Sequence, residues 1–451
     1  MLWGVAEVDG FEQAVREVME RSAEDTPNPS LDRVREALDL LGDPQRAYRV
    51  VHVGGTNGKT STARLVERLV REHGLRTGRY TSPHLREVTE RIAIDGEPLS
   101  SERFVEVWQD VAPYVRMVDE RSQAAGGPRM SFFEVLTVMA FAAFADAPVD
   151  VAVVEVGMGG SWDATNVVEA EVAVITPVAM DHERWLGHTL VDIAGEKAGI
   201  VKDRAVLVLA DQEPDAEGVV LAAAARHGAR VLREGVELEV ADRQVAVGGQ
   251  LLALRTVGGL YTDVFLPLHG PHQAHNALLA LAATEALLRG GGALDGDVVE
   301  AALRDADSPG RLELVRSSPT VLVDAAHNPA GAEALAAAIV DAFAFERLVG
   351  VVGILADKDA EHMLSVLEPV LDEIVVTRPA SPRALPVDAL AEIAGDVFGT
   401  DRLHVAERLD DALALAVDLA EQGVGGSPTG AGVLVTGSIT LVAEARTLLG
   451  R

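Results

Sequence analysis

The most constraining feature of the sequence is the segment at residues 48–70, which reads YRVVHVGGTNGKTSTARLVERLV. An apolar run ends at Val53, the loop GGTNGKT follows, and an amphipathic helix is predicted from Thr60. Glycines in such a loop let backbone N–H groups approach phosphate oxygens, and the helix N-terminus adds a favourable partial charge. The segment therefore predicts a phosphate-binding loop in which Lys59 contacts the β and γ oxygens and Thr60 or Ser61 supplies a hydroxyl.

This loop departs from the strict pattern G-x-x-x-x-G-K-[ST], because position 53 is Val and the first glycine is Gly54. The alternative interpretation is an ordinary glycine-rich turn between a strand and a helix. The complete GKT sequence between a strand and a helix favours the phosphate loop.

Short β-rich runs alternate with helical runs along the chain, which is typical of an α/β fold with a parallel sheet. Buried strands are predicted at residues 48–53, 149–156 and 172–178, and a small antiparallel excursion is predicted within residues 218–268. The alternation restarts near residue 312. We therefore predict two domains, at residues 1–300 and 308–451.

Composition excludes several classes of function. The chain has 39 Lys and Arg against 70 Asp and Glu, a net charge of −31, which argues against nucleic-acid binding and against a polybasic membrane surface. Without cysteine, it has no disulfide, thiolate–metal site or cysteine nucleophile. The N-terminal residues lack a signal-peptide pattern, and the most apolar stretch, 135–145, is too short to span a bilayer. We expect a cytoplasmic monomer with small-molecule substrates and neither nucleic-acid nor membrane partners.

Polar residues follow the predicted strands of the first half. Glu155 ends an apolar run and precedes Gly157, Gly159 and Gly160, so a ligand can approach closely there. Carboxylate, hydroxyl and water oxygens suit the Mg²⁺ that an ATP site needs. Asp181-His182 follows the next strand, and Lys197 lies in a helical EKAG sequence. Each has a structural alternative: a capping acid, a histidine without a ligand, and a lysine on a solvated helix face.

The second half repeats this placement. The sequence LVDAAHNPAG brings Asp324 and His327 just past a predicted strand, and GILADKD follows another one. Both sequences are also good turn formers, so a plain turn is the alternative to a ligand-binding role.

Nine sequences occur in one order over about 400 residues: HVGGTNGKTS, TSPHL, SFFE, VEVGMGGSWDATN, DH with IAGEKAGI, GPHQAHNA, GRLE, DAAHNP and TGS. Together they resemble the Mur-ligase superfamily and, within it, the dihydrofolate and folylpolyglutamate synthases. The resemblance implies a P-loop Mur-ligase-like ATPase domain with a parallel central sheet, binding ATP and pterin, and a C-terminal Rossmann-like α/β domain. It implies an ATP-dependent amide ligase that activates a carboxylate as an acyl phosphate and joins it to L-glutamate. The carboxylate substrates would be dihydropteroate and reduced folates.

The resemblance also implies roles for individual residues. It assigns ATP binding to Thr56, Asn57, Gly58, Lys59, Thr60, Ser61, Asn276, Arg311, Asp324 and His327. It assigns Mg²⁺ to Ser82, Glu155 and His182, and catalysis to Lys59, His182 and Lys197, with Lys197 carried as a carbamate. It assigns the pterin site to Ser131, Phe132, Phe133, Glu134, Trp162, Asp163 and Ala164. The cofactors implied are ATP, one or two Mg²⁺ ions and a monovalent cation.

Two departures keep alternatives open. Ser161 stands where the family usually has Arg or a similar residue, and Thr60 stands where folate enzymes often have Gly. A Mur-type ligase of peptidoglycan synthesis is the first alternative, although a phosphate loop starting at residue 54 leaves little room for a preceding UDP-binding domain. A P-loop NTPase that acts as a conformational switch is the second.

Overall fold

The structure is a computed structural model that describes residues 3–22, 30–422 and 430–450. The chain forms two compact units, and each is described by itself. The first comprises Met1–Arg243, Leu252–Phe265 and His275–Ala306, and the second comprises Gln244–Leu251, Leu266–Ala274 and Asp307–Arg451.

Strands and helices alternate through both units. The strands are β1 Arg49–Gly54, β2 Thr77–Tyr80, β3 Ile92–Ile94, β4 Glu97–Pro98, β5 Val151–Glu155, β6 Val172–Ile175, β7 Val206–Leu209, β8 Arg230–Arg233, β9 Glu239–Ala246, β10 Gly249–Arg255, β11 Leu260–Leu266, β12 Glu313–Ser317, β13 Thr320–Val323, β14 Arg347–Val352, β15 Glu373–Val376, β16 Leu403–Val405 and β17 Ala431–Thr436. The helices are α1 Trp3–Met19, α2 Asp32–Leu40, α3 Lys59–Glu72, α4 Ser101–Ala124, α5 Phe132–Asp146, α6 Glu183–Leu186, α7 Leu190–Ala198, α8 Pro214–His227, α9 Pro271–Arg289, α10 Gly296–Arg304, α11 Pro329–Ala342, α12 Ala360–Leu367, α13 Val387–Phe398, α14 Leu409–Gln422 and α15 Ile439–Leu448. None of the helices in the described ranges combines the length and the hydropathy needed to cross a membrane.

The first unit is built on an eight-stranded sheet in the order β4-β3-β2-β5-β1-β6-β7-β8. Six strands run parallel, and β3 and β4 form an antiparallel edge. Strand β1 lies between β5 and β6, with Val53 opposite Glu155 and Gly54 opposite Ile175. The apolar sequence of β5 is buried throughout, as expected for a parallel strand covered on both faces. The carboxyl ends of these strands therefore bring their following loops to one edge of the sheet.

The second unit contains a six-stranded sheet in the order β12-β13-β17-β14-β15-β16. Its strands are parallel except where β12 pairs with β13. A separate small sheet has the order β11-β10-β9, and short connections join its strands. The predicted α/β class, with a mostly parallel sheet and a small antiparallel sheet, is confirmed.

Several boundaries differ from the sequence predictions; β1, for example, covers Arg49–Gly54 where residues 48–53 were predicted. The antiparallel region was predicted within residues 218–268, but residues 218–227 lie in α8 and residues 230–233 form a parallel strand. The strand predicted at 172–178 ends at Ile175, two residues before Pro177, which has no N–H for a sheet hydrogen bond. Helix α3 begins at Lys59, one residue before the predicted start.

Candidate active site

The loop between β1 and α3 needs glycine at two positions. Gly55 has a φ of +130°, and a Cβ there would lie 1.9 Å from Oγ1 of Thr176. Gly58 has a φ of +88°, and its Cβ would lie 2.5 Å from Oδ1 of Asn276. The loop backbone therefore lies directly against the end of β6 and the side chain of Asn276.

The segment after β6 anchors this loop. The backbone N–H of Thr56 donates to the carbonyl of Pro177 at 2.9 Å, and the N–H of Asn57 donates to the same carbonyl at 3.4 Å. The hydroxyl of Thr56 donates to the carbonyl of Ala179 at 3.1 Å and accepts from its N–H at 3.0 Å. Nζ of Lys59 donates to the carbonyl of Thr56 at 2.9 Å, so its ammonium lies over the loop. Ser61, in the first turn of α3, is buried.

Glu155 joins two predicted site residues at the end of β5. Its Oε1 accepts from the hydroxyl of Thr60 at 2.8 Å, and its Oε2 accepts from the backbone N–H of Ser82 at 3.1 Å. Glu155 is only 1% exposed. A buried carboxylate beside two hydroxyl-bearing residues is a donor set that Mg²⁺ accepts. Within the described residues, no group of three or more His, Asp and Glu side chains is arranged to hold a metal.

His182 lies on the loop that follows β6. It adopts a left-handed backbone with a φ of 52° and caps the short helix α6. Its Nε2 lies 3.8 Å from Oδ2 of Asp181, and about a third of the side chain, 31%, is exposed. The ring therefore reaches solvent while it stays beside a carboxylate.

Lys197 approaches the phosphate loop from α7. Its Nζ donates to the carbonyl of Gly55 at 2.7 Å, and the residue is buried. The pKa of Lys197 is lowered from 10.5 to about 7, chiefly by burial and then by the positive charge of Lys59. The carboxylates of Asp181 and Asp163 oppose this shift. A substantial share of the side chain is therefore an uncharged amine near neutral pH.

The loop after β5 is fixed to the end of α7. The N–H of Ser161 donates to the carbonyl of Glu196 at 2.9 Å, and the Ser161 hydroxyl donates to the Glu196 carboxylate. The side-chain amide of Asn166 donates to the carbonyls of Ser161 at 3.0 Å and Gly199 at 3.1 Å. Ser161 therefore holds this loop against the helix that carries Lys197.

The first predicted pterin-site segment packs against the loop that carries the second. A Cβ on Gly157 would lie 2.4 Å from Cζ of Phe133, so the loop backbone packs directly against that ring. The ring of Phe133 also lies 5.8 Å from that of Tyr80. The neighbouring Phe132 is 7% exposed, and the guanidinium of Arg91 stands 4.9 Å from its ring centre. Trp162 packs beside Gly159 on the same loop.

Ser131 and Glu134 form a capping box at the start of α5. The Ser131 hydroxyl accepts from the N–H of Glu134 at 3.3 Å, and the Glu134 carboxylate accepts from the N–H of Ser131 at 2.7 Å. Arg33 adds an ion pair to Glu134 at 2.9 Å. Both side chains thus fix the helix start from which Phe132 and Phe133 project.

Asp163 lies inside the loop after β5 and is 3% exposed. It accepts from the backbone N–H groups of Thr165 and Met158, each at 2.9 Å, and burial raises its pKa to about 6. Ala164 follows it as the first residue of a 3-10 helix over Ala164–Val167. Asp163 therefore closes the loop that contains Gly157 and Trp162.

Four further predicted nucleotide residues are described unit by unit: Asn276 belongs to the first, and Arg311, Asp324 and His327 belong to the second. Oδ1 of Asn276 accepts from the hydroxyl of Thr62 at 3.4 Å in the first unit. In the second unit, Asp324 follows β13 and accepts from the N–H groups of Leu312 at 2.7 Å and Ala326 at 2.8 Å. Burial raises the pKa of Asp324, and Arg311 opposes this.

His327 lies three residues beyond Asp324, also in the second unit. Nδ1 of His327 donates to the carbonyl of Ala325 at 2.9 Å, which leaves Nε2 as the nitrogen able to accept.

Sequence reasoning missed several residues that organise this site. They are His52, Thr165, Asn166, Pro177 and Tyr80, and all act through contacts distant in sequence. The sequence did offer one indication of the role of His52, because it is a polar residue within the otherwise apolar strand sequence VVHVG.

Comparisons with known proteins agree with this architecture. Residues 115–284 match the Mur ligase middle domain, and residues 310–439 match the Mur ligase, glutamate ligase domain. A dihydrofolate synthase/folylpolyglutamate synthase of Mycobacterium tuberculosis is 53% identical over 441 residues, covering 94% of this chain and 91% of that one.

Solved structures extend the likeness to the fold. A folylpolyglutamate synthase of Mycobacterium tuberculosis, complexed with ADP and AMPPCP, has a TM-score of 0.94 and 52% identity, over 99% of both chains. An FPGS–AMPPCP–folate complex has a TM-score of 0.84 and 30% identity, over 97% of this chain and 99% of that one.

The P-loop unit, the second α/β unit and the matches to both domain models define an ATP-dependent, amide-forming ligase of the Mur type. Relatives of this identity and coverage narrow the class further. The chain belongs to the dihydrofolate synthase/folylpolyglutamate synthase family.

Proposed function

We propose that this protein joins L-glutamate to dihydropteroate and to the γ-carboxylate of reduced folates, at the expense of ATP. A substrate carboxylate oxygen attacks the γ-phosphorus, the bond to ADP breaks, and an acyl phosphate forms. The amine of glutamate then attacks the acyl carbon, loses a proton and displaces phosphate, leaving an amide. The enzyme chiefly positions these groups and stabilises the oxyanion charge.

One observation carries the proposal: the carboxyl end of β5 contacts both the phosphate-loop helix and the aromatic residues of the proposed pterin site. Glu155, the last residue of β5, bonds to Thr60 in the phosphate-loop helix. Gly157, two residues later, packs against Phe133. In this proposal, a nucleotide on the loop and an aromatic substrate ring near Phe133 are both held close to this short backbone segment. Such an arrangement suits transfer of a phosphate to a carboxylate carried by the ring-bearing substrate.

On the nucleotide side, Lys59 neutralises charge on the β and γ oxygens. The backbone of Thr56, Asn57 and Gly58 and the hydroxyls of Thr60 and Ser61 surround the phosphates. Asn276, packed against Gly58, contacts the adenine. The family resemblance assigns nucleotide binding to Arg311, Asp324 and His327 as well.

Ser82, Glu155 and His182 hold Mg²⁺ in this proposal. The buried Glu155 carboxylate and its neighbouring hydroxyls support the assignment, because they are hard oxygen donors. The ion supplies charge neutralisation at the ATP phosphates. A second Mg²⁺ and a monovalent cation are proposed on the family resemblance and are tested by titrating each cation separately.

Lys197 is proposed to react with carbon dioxide. The uncharged amine forms an N–C bond and loses a proton, which converts a cationic side chain into an anionic carbamate able to hold the second Mg²⁺. The lowered pKa near 7 supports this, since only the uncharged amine reacts. The carbamate nitrogen keeps one hydrogen, which is free to donate to the Gly55 carbonyl that Lys197 contacts at 2.7 Å.

The pterin is proposed to bind at the aromatic wall of Phe132, Phe133 and Trp162. The capping pair of Ser131 and Glu134 holds the first two rings. Asp163 and Ala164 complete the opposite wall, residue by residue as the resemblance implies. The protein is proposed to act as a cytoplasmic monomer on small molecules.

The test is phosphate release from MgATP and L-glutamate, with dihydropteroate compared with tetrahydrofolate. Release with both supports the bifunctional proposal, and release with one limits the protein to one reaction. Release with neither, but with UDP-linked peptidoglycan precursors, favours the cell-wall ligase. Release without any carboxylate substrate favours an NTPase switch.

A further inference from the structure

A buried hydrogen-bond chain links β1 to the loop after β5. Nε2 of His52 lies 2.9 Å from the hydroxyl oxygen of Thr165, and that hydroxyl in turn donates to Oδ1 of Asp163. All three residues are buried, with His52 and Thr165 at 0% exposure. Residues 52 and 165 are 113 positions apart, so the chain is a product of the fold.

The direction of the chain follows from the acceptor at its end. At neutral pH the Asp163 carboxylate only accepts, so the Thr165 proton points toward it and Nε2 of His52 must be the donor. The pKa of His52 is lowered to about 3, chiefly by burial and then by the positive charge of Lys202, so the ring is neutral. The order is therefore His52 Nε2–H to Thr165 O–H to Asp163 carboxylate.

Packing alone does not account for a histidine at this position. Its neighbours on β1 are valines, and Nδ1 is buried without a hydrogen-bond partner among the described residues. A buried polar atom left unpaired is destabilising, and an aliphatic side chain at this position avoids that loss. His52 therefore lowers the stability of the fold through its unpaired Nδ1, and what it provides is the hydrogen bond to Thr165.

The chain ends where the loop is closed. Asp163 accepts from Met158 and Thr165 N–H groups, which brings the two ends of the loop together. Gly157 and Trp162, which face the proposed pterin site, lie on this loop. Strand β1 continues directly into the phosphate loop, so His52 ties the pterin-side loop to the strand that carries the nucleotide loop.

We propose that His52 is a positioning residue for the pterin, acting through Thr165 on the carboxylate of Asp163. The identity of the substrate in this inference rests on the proposed function. The residues involved are identified by the geometry of the hydrogen-bond chain. It predicts that breaking either bond loosens the loop and weakens pterin binding while nucleotide binding is kept.

The variants come in matched pairs. Thr165→Val keeps the shape and removes the hydroxyl, and Thr165→Ser keeps the hydroxyl. His52→Leu removes the donor, and His52→Gln places an amide N–H near the position of Nε2. Thr284→Val is the control, because Thr284 is an equally buried threonine whose hydroxyl donates within α9, to the carbonyl of Ala280.

The first measurement is hydrogen exchange at the Met158 and Thr165 amides of the full-length protein without substrate. Thr165→Val and His52→Leu are expected to exchange about tenfold faster there, the effect of one lost buried hydrogen bond. The second is the KM for dihydropteroate, expected to rise about tenfold with the KM for ATP within about twofold of wild type. Thr165→Ser and His52→Gln recover most of both losses, and the His52→Leu/Thr165→Val double variant is no worse than either single one.

Unchanged exchange in Thr165→Val overturns the proposal, as does a KM for ATP that rises as much as the KM for dihydropteroate. If His52→Gln is as impaired as His52→Leu, the hydrogen bond from His52 to Thr165 does not have the proposed role. If His52→Leu does not fold, His52→Asn replaces it, since its shorter amide does not reach Thr165. If the wild-type protein ligates no pterin substrate, the proposed function is wrong. The hydrogen-exchange experiment still tests whether the hydrogen bonds of His52 and Thr165 hold the loop.

Discussion

Glu155 accepts a hydrogen bond from the hydroxyl of Thr60 at 2.8 Å, which ties the end of β5 to the first turn of α3. The same carboxylate accepts from the N–H of Ser82 at 3.1 Å. Three segments that are far apart in sequence thereby converge on one buried acid beside the phosphate loop. The proposed metal site and the proposed nucleotide site share this carboxylate.

Replacing Lys59 tests the phosphate loop. Lys59→Ala is expected to lower kcat at least about 100-fold, because the charge that stabilises the transferring phosphate is lost. The fold should persist, since Lys59 is only half-buried and its ammonium donates to a carbonyl of the loop, that of Thr56. Arg68→Ala is the control and should keep wild-type turnover. It also removes a positive charge from α3, but Arg68 forms an ion pair with Asp305. Near-normal turnover in Lys59→Ala removes the phosphate-loop assignment.

Replacing Glu155 tests the metal assignment. Glu155→Gln keeps the size of the side chain but loses the charge, so the Mg²⁺ concentration for half-maximal activity should rise about tenfold or more. Glu171→Gln is the control, because Glu171 pairs with Arg49 at the amino ends of β6 and β1. Glu155 lies at the carboxyl ends of the strands. The measurement is a Mg²⁺ titration of both variants. Identical titration curves for Glu155→Gln and wild type contradict the assignment.

Replacing Gly157 tests the pterin wall. Gly157→Ala places a methyl group 2.4 Å from Cζ of Phe133, so the ring or the loop must move. The KM for dihydropteroate should rise about tenfold while the KM for ATP changes little. Gly218→Ala, in α8 with nothing within 4 Å of its added Cβ, is the control. Equal effects of the two variants count against the wall.

Lys197 gives a prediction in pH and carbon dioxide. Its pKa is lowered to about 7, so the uncharged amine increases as the pH rises through that value. Activity of enzyme depleted of carbon dioxide should therefore recover with bicarbonate, and more completely at pH 8 than at pH 6. Lys197→Ala should lose this response and regain part of its activity with a short carboxylic acid. Lys202→Ala, whose ammonium bonds to the Asn166 carbonyl, is the control. No bicarbonate response in wild type leaves the carbamate without support.

Local patterns made part of this structure predictable. The strand, loop and helix at residues 48–70 form as expected, because apolar periodicity and glycine positions are local signals. The start of the predicted antiparallel region, at residues 218–233, was wrong, since the alanine-rich α8 and the short β8 carry weak periodicity. The sequence SFFE is itself a capping-box pattern, so the roles of Ser131 and Glu134 at the helix start were within reach.

The remaining site features depend on tertiary contacts. The pKa of Lys197 comes from burial and from Lys59, which lies 138 positions away by residue number (197 − 59). The bond between His52 and Thr165 joins residues with no sequence pattern in common. Such features are fixed by how strands order in the sheet, which a single sequence does not encode locally.

The central claim is that ATP activates the substrate carboxylate as an acyl phosphate. The most direct measurement uses dihydropteroate labelled with ¹⁸O in its carboxylate, incubated with the enzyme, MgATP and L-glutamate, followed by mass analysis of the released phosphate. The account predicts one ¹⁸O atom in the phosphate for each amide formed, because that oxygen leaves with the γ-phosphorus. Amide formation with unlabelled phosphate would contradict it.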